Sequence, residues 1–188
     1  MKTFYIETYG CQMNFADSEI VASVLSEHEY IGVKSASEAD IILINTCSIR
    51  DNAEQRVIAR VKELQALRKT KPNLRVGVIG CMAERLKETL FVELQGVQLL
   101  AGPDTYRSLP DLLAEAENSG KAMNVMLSEN ETYEDISPVR LDSNGVSAFI
   151  AIMRGCNNFC SYCVVPFTRG RERSRPSDTI IKEAEALF

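Results

Sequence analysis

Four consecutive aliphatic residues, Ile41 to Ile44, restrict the folds that this chain can adopt. A run without polar alternation is typical of a strand that is covered on both faces, as in a parallel sheet between two layers of helices. Further strand patterns occur at residues 2–9, 75–79 and 97–101, and a short extended piece occurs at 31–34. Helical spacing separates these strands, so the sequence predicts an α/β fold, an open and mostly parallel sheet with flanking helices.

The helices between these strands are predicted from apolar spacing and from their boundary residues. Asn14 or Asp17 is expected to cap the first helix, and His28 to lie at a helix end without a chemical role. Gly120 is expected to end the last helix of this series. The remaining helices are predicted over residues 51–67, 83–94 and 106–117.

Three cysteines each follow a separate predicted strand: Cys11, Cys47 and Cys81. Because the carboxyl ends of parallel strands meet at one edge of a sheet, these residues are predicted to be neighbours in space. Three thiolates could then hold three irons of a cubane cluster and leave the fourth iron open. The alternative is that each cysteine is a small buried hydrophobic residue, as free cysteine often is.

A second cysteine group has the spacing C-x3-C-x2-C, at Cys156, Cys160 and Cys163. Three thiolates this close in sequence can also hold three irons of a cubane and leave the fourth iron to a small molecule. Zinc binds thiolates as well, but a structural zinc site needs four ligands. No fourth cysteine or histidine lies nearby, and the only histidine, His28, is far away in sequence. A zinc knuckle or a set of inert thiols remains the alternative.

Composition narrows the setting in which these cysteines act. The chain has 188 residues, of which 45% are hydrophobic, and a net charge of -5. Its acidic balance argues against indiscriminate binding to polyanions. No apolar stretch is long enough to span a membrane and no signal-peptide pattern opens the chain, so we expect a cytoplasmic protein without a membrane partner. In that reducing setting, cysteines are expected to be metal ligands or catalytic thiols rather than disulfides.

The second half of the chain is predicted to be a linker followed by an incomplete domain. Residues 128–142 are acidic and poor in apolar residues, as in an interdomain segment. Residues 146–153 are predicted to form a buried strand, and Ser177 or Asp178 is expected to cap a last helix. One strand and one helix cannot bury their apolar faces alone, so we expect the front portion of a longer protein. The predicted limits are 1–125 for the first domain, 126–145 for the linker and 146–188 for the incomplete second domain.

Four cysteine motifs together resemble the methylthiotransferase family of radical S-adenosylmethionine (SAM) enzymes. They are YGCQMN at residues 9–14, NTCSIR at 45–50, GCMAER at 80–85 and GCNNFCSYCVVP at 155–166. The Gln-Met-Asn after Cys11 and the run CVVPFTRG at 163–170 resemble the tRNA-modifying branch, the MiaB type. The ribosomal-protein branch, the RimO type, usually differs at both places.

The resemblance implies two 4Fe-4S clusters, SAM, and a second half that begins a radical SAM (β/α) barrel. An auxiliary cluster would be held by Cys11, Cys47 and Cys81, and the SAM-binding cluster by Cys156, Cys160 and Cys163. The resemblance also places Tyr162 near the SAM adenine, with local packing in the loop as the alternative. Hydrogen bonds around the auxiliary cluster are expected from Asn14, Asn45 and Arg50. Two alternatives are open for the arginines at the end of this region: they contact an anion, either RNA phosphate or the SAM carboxylate, or they form a solvated turn. These arginines are Arg169, Arg171, Arg173 and Arg175.

The same resemblance implies an activity and its partners. Enzymes of the MiaB type convert N6-isopentenyladenosine next to a tRNA anticodon into its 2-methylthio form. The expected partners are therefore an isopentenylated tRNA and an electron-donor protein. Because most of the SAM-binding part of the family lies beyond this sequence, these 188 residues alone are not expected to turn over.

Three other functions remain open at this point. A RimO-type enzyme would modify a ribosomal protein instead of tRNA. A zinc-binding interaction module would use the six cysteines as structural thiols. A flavodoxin-like nucleotide-binding domain would need a phosphate loop after the first strand, and none is evident at residues 10–13.

Overall fold

Six parallel strands form one sheet in this computed structural model, which describes residues 1–48, 51–141 and 147–187, without the side chains of 51–54. The order of the strands across the sheet is β2-β1-β3-β4-β5-β6. The strands are Thr3–Tyr9 (β1), Ile31–Gly32 (β2), Ile41–Thr46 (β3), Arg75–Gly80 (β4), Leu99–Ala101 (β5) and Ala122–Asn124 (β6). The predicted open, parallel α/β sheet is confirmed.

The strand order reverses between β1 and β3, because the chain runs outward from β1 to β2 and then returns to β3 on the other side. In open α/β sheets, such a reversal leaves a crevice beyond the carboxyl ends of the strands, where ligands bind. The crevice of this protein therefore lies at the ends of β1 and β3, and β4 borders it.

Helices cover both faces of the sheet. Strand β3 shows the division, because Ile41 and Leu43 face one core while Ile42 and Ile44 face the other, and all four are buried. The first core includes apolar residues of α1 and α5, and the second includes those of α2, α3 and α4. The helices are Gln12–Glu27 (α1), Asp51–Gln65 (α2), Cys81–Leu86 (α3), Thr89–Glu93 (α4) and Leu109–Ser119 (α5), with 3-10 turns at Ala66–Lys69 and Tyr106–Ser108.

Helix α1 begins earlier than predicted. Cys11 occupies its N-cap position, so the prediction that Asn14 or Asp17 caps the helix is wrong. Both side chains are instead buried inside the helix, because each has a polar partner elsewhere in the fold. His28 lies at the end of α1 as expected, and its ring Nδ1 is 2.8 Å from the carbonyl oxygen of Val24.

Two further predictions needed correction in the first half. The helix predicted over 83–94 is two helices, since Lys87 adopts a left-handed φ of 46° that interrupts the helical backbone between α3 and α4. Strand β6 was not predicted, because its three residues carry no apolar run that marks a strand. Gly120 ends α5 with a left-handed φ of 84°, as predicted.

The acidic segment before the second half packs on the sheet domain. Tyr133 is buried, stacks on Tyr106 with ring centroids 5.7 Å apart, and donates a hydrogen bond to the carbonyl oxygen of Pro103. Arg107 adds ion pairs to Glu131 and Asp135 at the surface. These contacts hold the segment against α5 and its preceding turn, whereas the predicted linker limits remain a prediction.

The last part contains a two-stranded antiparallel ribbon and two helices: Met153–Arg154 (β7), Val165–Arg169 (α6), Arg173–Ser174 (β8) and Ser177–Glu185 (α7). Pro176 is the N-cap of α7, so the prediction that Ser177 or Asp178 caps this helix is wrong. The prediction of a buried strand from 146 is wrong for residues 147–152, since the structure has no strand there. Phe149 and Ile152 are 52% and 56% exposed, because β8 pairs only with Met153–Arg154 and no other strand covers them. Residue 146 lies outside the described residues.

The secondary structure of residues 147–187 consists of this ribbon and the two helices. These elements do not show the expected start of a (β/α) barrel. Among the helices within the described ranges, none combines the length and apolar character that a membrane crossing requires.

Candidate metal centre at the carboxyl edge of the sheet

The register of the sheet brings three cysteines to one edge. Tyr9 of β1 is the partner of Thr46 in β3, and Thr46 is the partner of Gly80 in β4. The three strands therefore end side by side, and a cysteine follows each end within two residues: Cys11, Cys47 and Cys81. A hydrogen bond of 2.9 Å from the Cys47 N–H to the Tyr9 carbonyl oxygen continues the sheet to this point.

Glycines let the cysteine loops approach each other. A Cβ atom added at Gly10 would lie 2.8 Å from the Cβ of Cys47, closer than such atoms pack. Gly80 has a φ of +90°, and an added Cβ would lie 2.8 Å from the carbonyl oxygen of Thr46. The Gly-Cys pairs of the sequence are therefore a steric requirement of the edge, since a larger residue would force the loops apart.

A buried amide network shapes the floor of this edge. The Asn14 Nδ2 donates to the Asn45 Oδ1 at 2.9 Å, and the Asn45 Nδ2 donates to the Asn14 carbonyl oxygen at 2.8 Å and to the Ser18 Oγ at 2.9 Å. The Cys11 thiol donates to the Asn14 Oδ1 at 3.4 Å. The network ties the start of α1 to β3, whereas the role of both asparagines around a cluster remains a prediction. Arg50 lies outside the described residues.

The Cys11 thiol is activated by its surroundings. A hydrogen bond from the Cys47 thiol, with backbone N–H groups of Met13 and Asn14 and the nearby Arg169 charge, lowers the pKa of Cys11 to about 5 against the effect of burial. Cys11 is the N-cap of α1, where the free N–H groups of a helix favour a negative charge. At neutral pH it is therefore a thiolate, the form that binds metals.

Cys81 is buried, and its closest charged partner comes from the far end of the chain. Burial raises the pKa of the Cys81 thiol, and the Arg169 guanidinium opposes that effect. The Arg169 Nε donates to the Cys81 Sγ at 3.2 Å, and its Nη2 donates to the Asp17 Oδ2 at 2.7 Å. Helix α6, which ends at Arg169, packs on α3, which begins at Cys81.

Arg169 belongs to a buried cluster of three arginines and two aspartates. The Arg154 Nη1 donates to the other Asp17 oxygen at 2.7 Å, and Arg173 donates to both Asp104 oxygens at 2.8 and 3.0 Å. All five side chains are at most 8% exposed. The cluster fastens the β7–β8 ribbon and α6 to the carboxyl edge of the sheet.

The sequence prediction for the arginine run is wrong at three of its positions. Arg169, Arg173 and Arg175 do not form a solvated turn, because they are buried and paired with carboxylates of this chain. Arg171 alone is exposed. Nothing local in the sequence marks these pairings, since Asp17 and Arg169 are 152 residues apart.

The three edge cysteines fit an iron–sulfur cluster in their chemistry. They are sulfur donors, one is activated, and a buried Nη1 of Arg169 beside them has no hydrogen-bond partner. Within the part of the chain that the structure describes, no three Cys, His, Asp or Glu side chains are arranged to hold one metal ion. Thiolates suit iron–sulfur clusters and zinc alike, but a structural zinc site needs a fourth ligand, whereas three thiolates can hold three irons of a cubane.

The second cysteine group lies in the loop between β7 and α6. Cys160 is exposed, while Cys156 and Cys163 are partly buried. The Cys163 N–H donates to the Cys160 carbonyl oxygen at 2.9 Å, and the Cys156 N–H donates to the Gly170 carbonyl oxygen at 3.1 Å. Tyr162 is 90% exposed and points to no partner ring within the described residues. This loop is shaped by backbone turns rather than by buried side chains.

One cleft of about 320 Å³ is lined by residues that neighbour cysteines of both groups in sequence. Gln12 and Met13 follow Cys11, and Arg154 and Gly155 precede Cys156. Arg169 is in the same lining, which contains none of the six cysteines. The cleft therefore lies between flanking segments of the two groups.

Comparison with known proteins assigns the family. Residues 3–102 match Uncharacterized protein family UPF0004. The chain belongs to this family. The UPF0004 match covers β1 through β5 and contains Cys11, Cys47 and Cys81, the three cysteines of the sheet edge.

Named relatives extend the similarity along the chain and confirm the resemblance found in the cysteine motifs. The chain is 58% identical over 187 residues to "tRNA-2-methylthio-N(6)-dimethylallyladenosine synthase" of Amoebophilus asiaticus, covering 100% of the chain and 38% of that protein. The same-named protein of Chloroherpeton thalassium is 58% identical over 183 residues, covering 97% of the chain and 40% of that protein. "Mitochondrial tRNA methylthiotransferase CDK5RAP1" of Homo sapiens is 53% identical over 187 residues, covering 97% and 31%. The chain therefore spans well under half the length of these relatives.

Proposed function

We propose that this chain is part of a tRNA methylthiotransferase, an enzyme that converts isopentenylated adenosine in tRNA into its 2-methylthio form. The observation that carries the proposal is the edge where Cys11, Cys47 and Cys81 meet, against which Arg169 and α6 of the second cysteine region pack. A reaction that needs two clusters to act on one substrate atom requires both to border the same space. The printed names of the relatives, at 53–58% identity, support the tRNA substrate.

Each cysteine group would hold one 4Fe-4S cluster. The auxiliary cluster belongs to Cys11, Cys47 and Cys81, and the SAM-binding cluster to Cys156, Cys160 and Cys163. When bound, these groups and SAM supply the radical chemistry and the sulfur that replacement of an unactivated aromatic C–H requires. Tyr162 would lie against the SAM adenine, and its exposure leaves its ring free for that contact.

The chain's own residues position and shield these groups. Cys11 offers a thiolate at neutral pH, which the backbone N–H groups of Met13 and Asn14 favour. Arg169 donates to the Cys81 sulfur, and the buried arginine cluster holds the second cysteine loop near the first. Packing of α6 on α3 excludes water from the Cys81 side of the edge.

The wider setting follows from the same assignment. The enzyme would act in the cytoplasm with an isopentenylated tRNA and an electron-donor protein as partners. These 188 residues alone are expected to bind iron and sulfide without turning over, because the relatives carry more than half of their length beyond the matched part.

The test uses the full-length polypeptide that carries this chain, reconstituted anaerobically with ferrous iron and sulfide. It is incubated with isopentenylated tRNA, SAM and dithionite, and the digested nucleosides are analysed by mass spectrometry. We expect the 2-methylthio nucleoside, and we expect it to disappear in the Cys47→Ala variant. The exposed Arg171→Gln variant should still form iron–sulfur clusters and serves as the folding control.

Two results would overturn the proposal in different directions. If a ribosomal protein is methylthiolated and the tRNA is left without a methylthio group, the activity is of the RimO type. Zinc without iron or sulfide after anaerobic purification would assign a zinc-binding interaction module.

A further inference from the structure

The buried arginine cluster carries more positive than negative charge. Among the described residues, the carboxylates that pair with Arg154, Arg169 and Arg173 are Asp17 and Asp104. Glu84, another buried carboxylate, is paired with Lys87 at 3.3 Å. A buried charge without a counter-charge is costly, so anionic sulfur at the cysteine edge, such as the Cys11 thiolate, is the expected counter-charge of the third arginine.

Arg169 is the arginine that faces the cysteines. Its Nε donates to the Cys81 sulfur and its Nη2 to Asp17, while its Nη1 is buried without a hydrogen-bond partner. The electrostatic influence of its charge reaches Cys11 as well as Cys81. A sulfur-rich anion at this edge would supply the acceptor that the Arg169 Nη1 lacks.

We propose that Arg169 is a positioning residue for the cluster held by Cys11, Cys47 and Cys81, and that its charge raises the reduction potential of that cluster. The proposal rests on the function proposed above, which places a cluster there. A cubane with three thiolate ligands is anionic, and one-electron reduction adds a further negative charge. A guanidinium in hydrogen-bond contact with one ligand sulfur favours that added charge, and burial leaves the interaction poorly screened.

Asp17, which contacts Arg169, is expected to lower the reduction potential of the cluster, because its charge is negative. Its carboxylate accepts the Arg169 Nη2 at 2.7 Å and is buried beside the same edge. Removing its negative charge leaves the guanidinium in place, held by Cys81. The structure therefore offers two neighbouring variants whose electrostatic effects on the cluster have opposite signs.

The experiment isolates the first cluster in a background with Cys156, Cys160 and Cys163 replaced by alanine. This chain is reconstituted with ferrous iron and sulfide, reduced stepwise with dithionite, and followed by electron paramagnetic resonance at each potential. Arg169→Met should lower the reduction equilibrium constant about tenfold, which is about 59 mV for one electron. Arg169→Lys should restore most of that shift, and the exposed Arg171→Met should leave the potential unchanged.

Asp17→Asn should move the potential in the opposite direction, towards easier reduction. Both variants weaken the same buried interface, so loosening of the fold cannot produce shifts of opposite sign. Shifts of the same sign, or no shift in either variant with a full cluster present, would overturn the role of Arg169 while leaving the cluster assignment intact. Absence of iron and sulfide from the parent background would overturn both proposals.

Discussion

The two cysteine groups differ in what holds them in place. Cys11, Cys47 and Cys81 stand at the ends of three paired strands, above a buried amide network and against a buried arginine. The C-x3-C-x2-C loop is held by backbone hydrogen bonds and by contacts of Asn157 and Phe159 near the surface, and Cys160 is exposed. The first group thus spans 71 residues of sequence, from Cys11 to Cys81. Its ligand positions are nevertheless more preorganised than those of the loop. Closeness in sequence and rigidity in space are different properties of a metal site.

The largest expected effect is on cluster loading and tests this contrast directly. In this chain alone, Cys81→Ala should abolish uptake of iron and sulfide at the first site, because it removes one of three ligands from a rigid edge. Replacing all three loop cysteines by alanine should leave most of the uptake intact. Colorimetric iron and sulfide assays after reconstitution measure both. Loading that depends on the loop instead would reverse the comparison.

The buried charge cluster is expected to dominate the stability of the junction between the two regions. Asp17→Ala should lower the free energy of unfolding by about 3–5 kcal/mol, because it leaves Arg154 and Arg169 buried without their main carboxylate. Asp135→Ala, which removes a partner of Arg107 at the surface, should cost within about 1 kcal/mol. Urea denaturation followed by circular dichroism compares the two. Equal losses would show that the buried cluster is no stronger than a surface pair.

A third expectation concerns the reactivity of Cys11 in the metal-free protein. Because the pKa of Cys11 is lowered to about 5, its alkylation by iodoacetamide should rise with pH around 5 and be nearly level at neutral pH. At pH 7 its thiolate fraction should exceed that of an ordinary thiol, with a pKa of about 8.5, roughly 30-fold. Peptide mass spectrometry after labelling at several pH values measures the midpoint. In the Cys47→Ala variant, which removes the first cause of the shift, the midpoint should move to higher pH.

The smallest expected effect concerns the glycine that lets β4 end at the site. Gly80→Ala should lower the free energy of unfolding by about 2 kcal/mol, because the new Cβ meets the Thr46 carbonyl oxygen at a left-handed φ. Gly120 has a similar φ of +84° but open space around it, so Gly120→Ala should cost about 1 kcal/mol. Thermal unfolding of the two variants separates the cost of the left-handed φ, which both share, from the cost of the atomic overlap, which only Gly80→Ala has. An equal loss would remove the steric part of the explanation for the Gly-Cys pairs.

Local patterns in the sequence predicted most of the first region. The apolar run of β3 and the strand-then-cysteine order were enough to predict the sheet and the edge on which the cysteines lie. The same method failed at residues 147–152, where an apolar stretch was interpreted as a buried strand. A strand is stable only with a partner along its length, and β8 supplies one for two residues.

The amino-acid order determined the parallel sheet, the carboxyl edge and the cysteine spacing, because each depends on neighbours within a few residues or on the direction of parallel strands. Only the tertiary structure decided that Asp17 is a buried ion-pair partner rather than a helix cap, and that Arg169 faces Cys81 rather than solvent. Those pairings join residues 152 and 88 positions apart. A buried charge takes its partner from whatever the fold brings within reach, and no local periodicity records that choice.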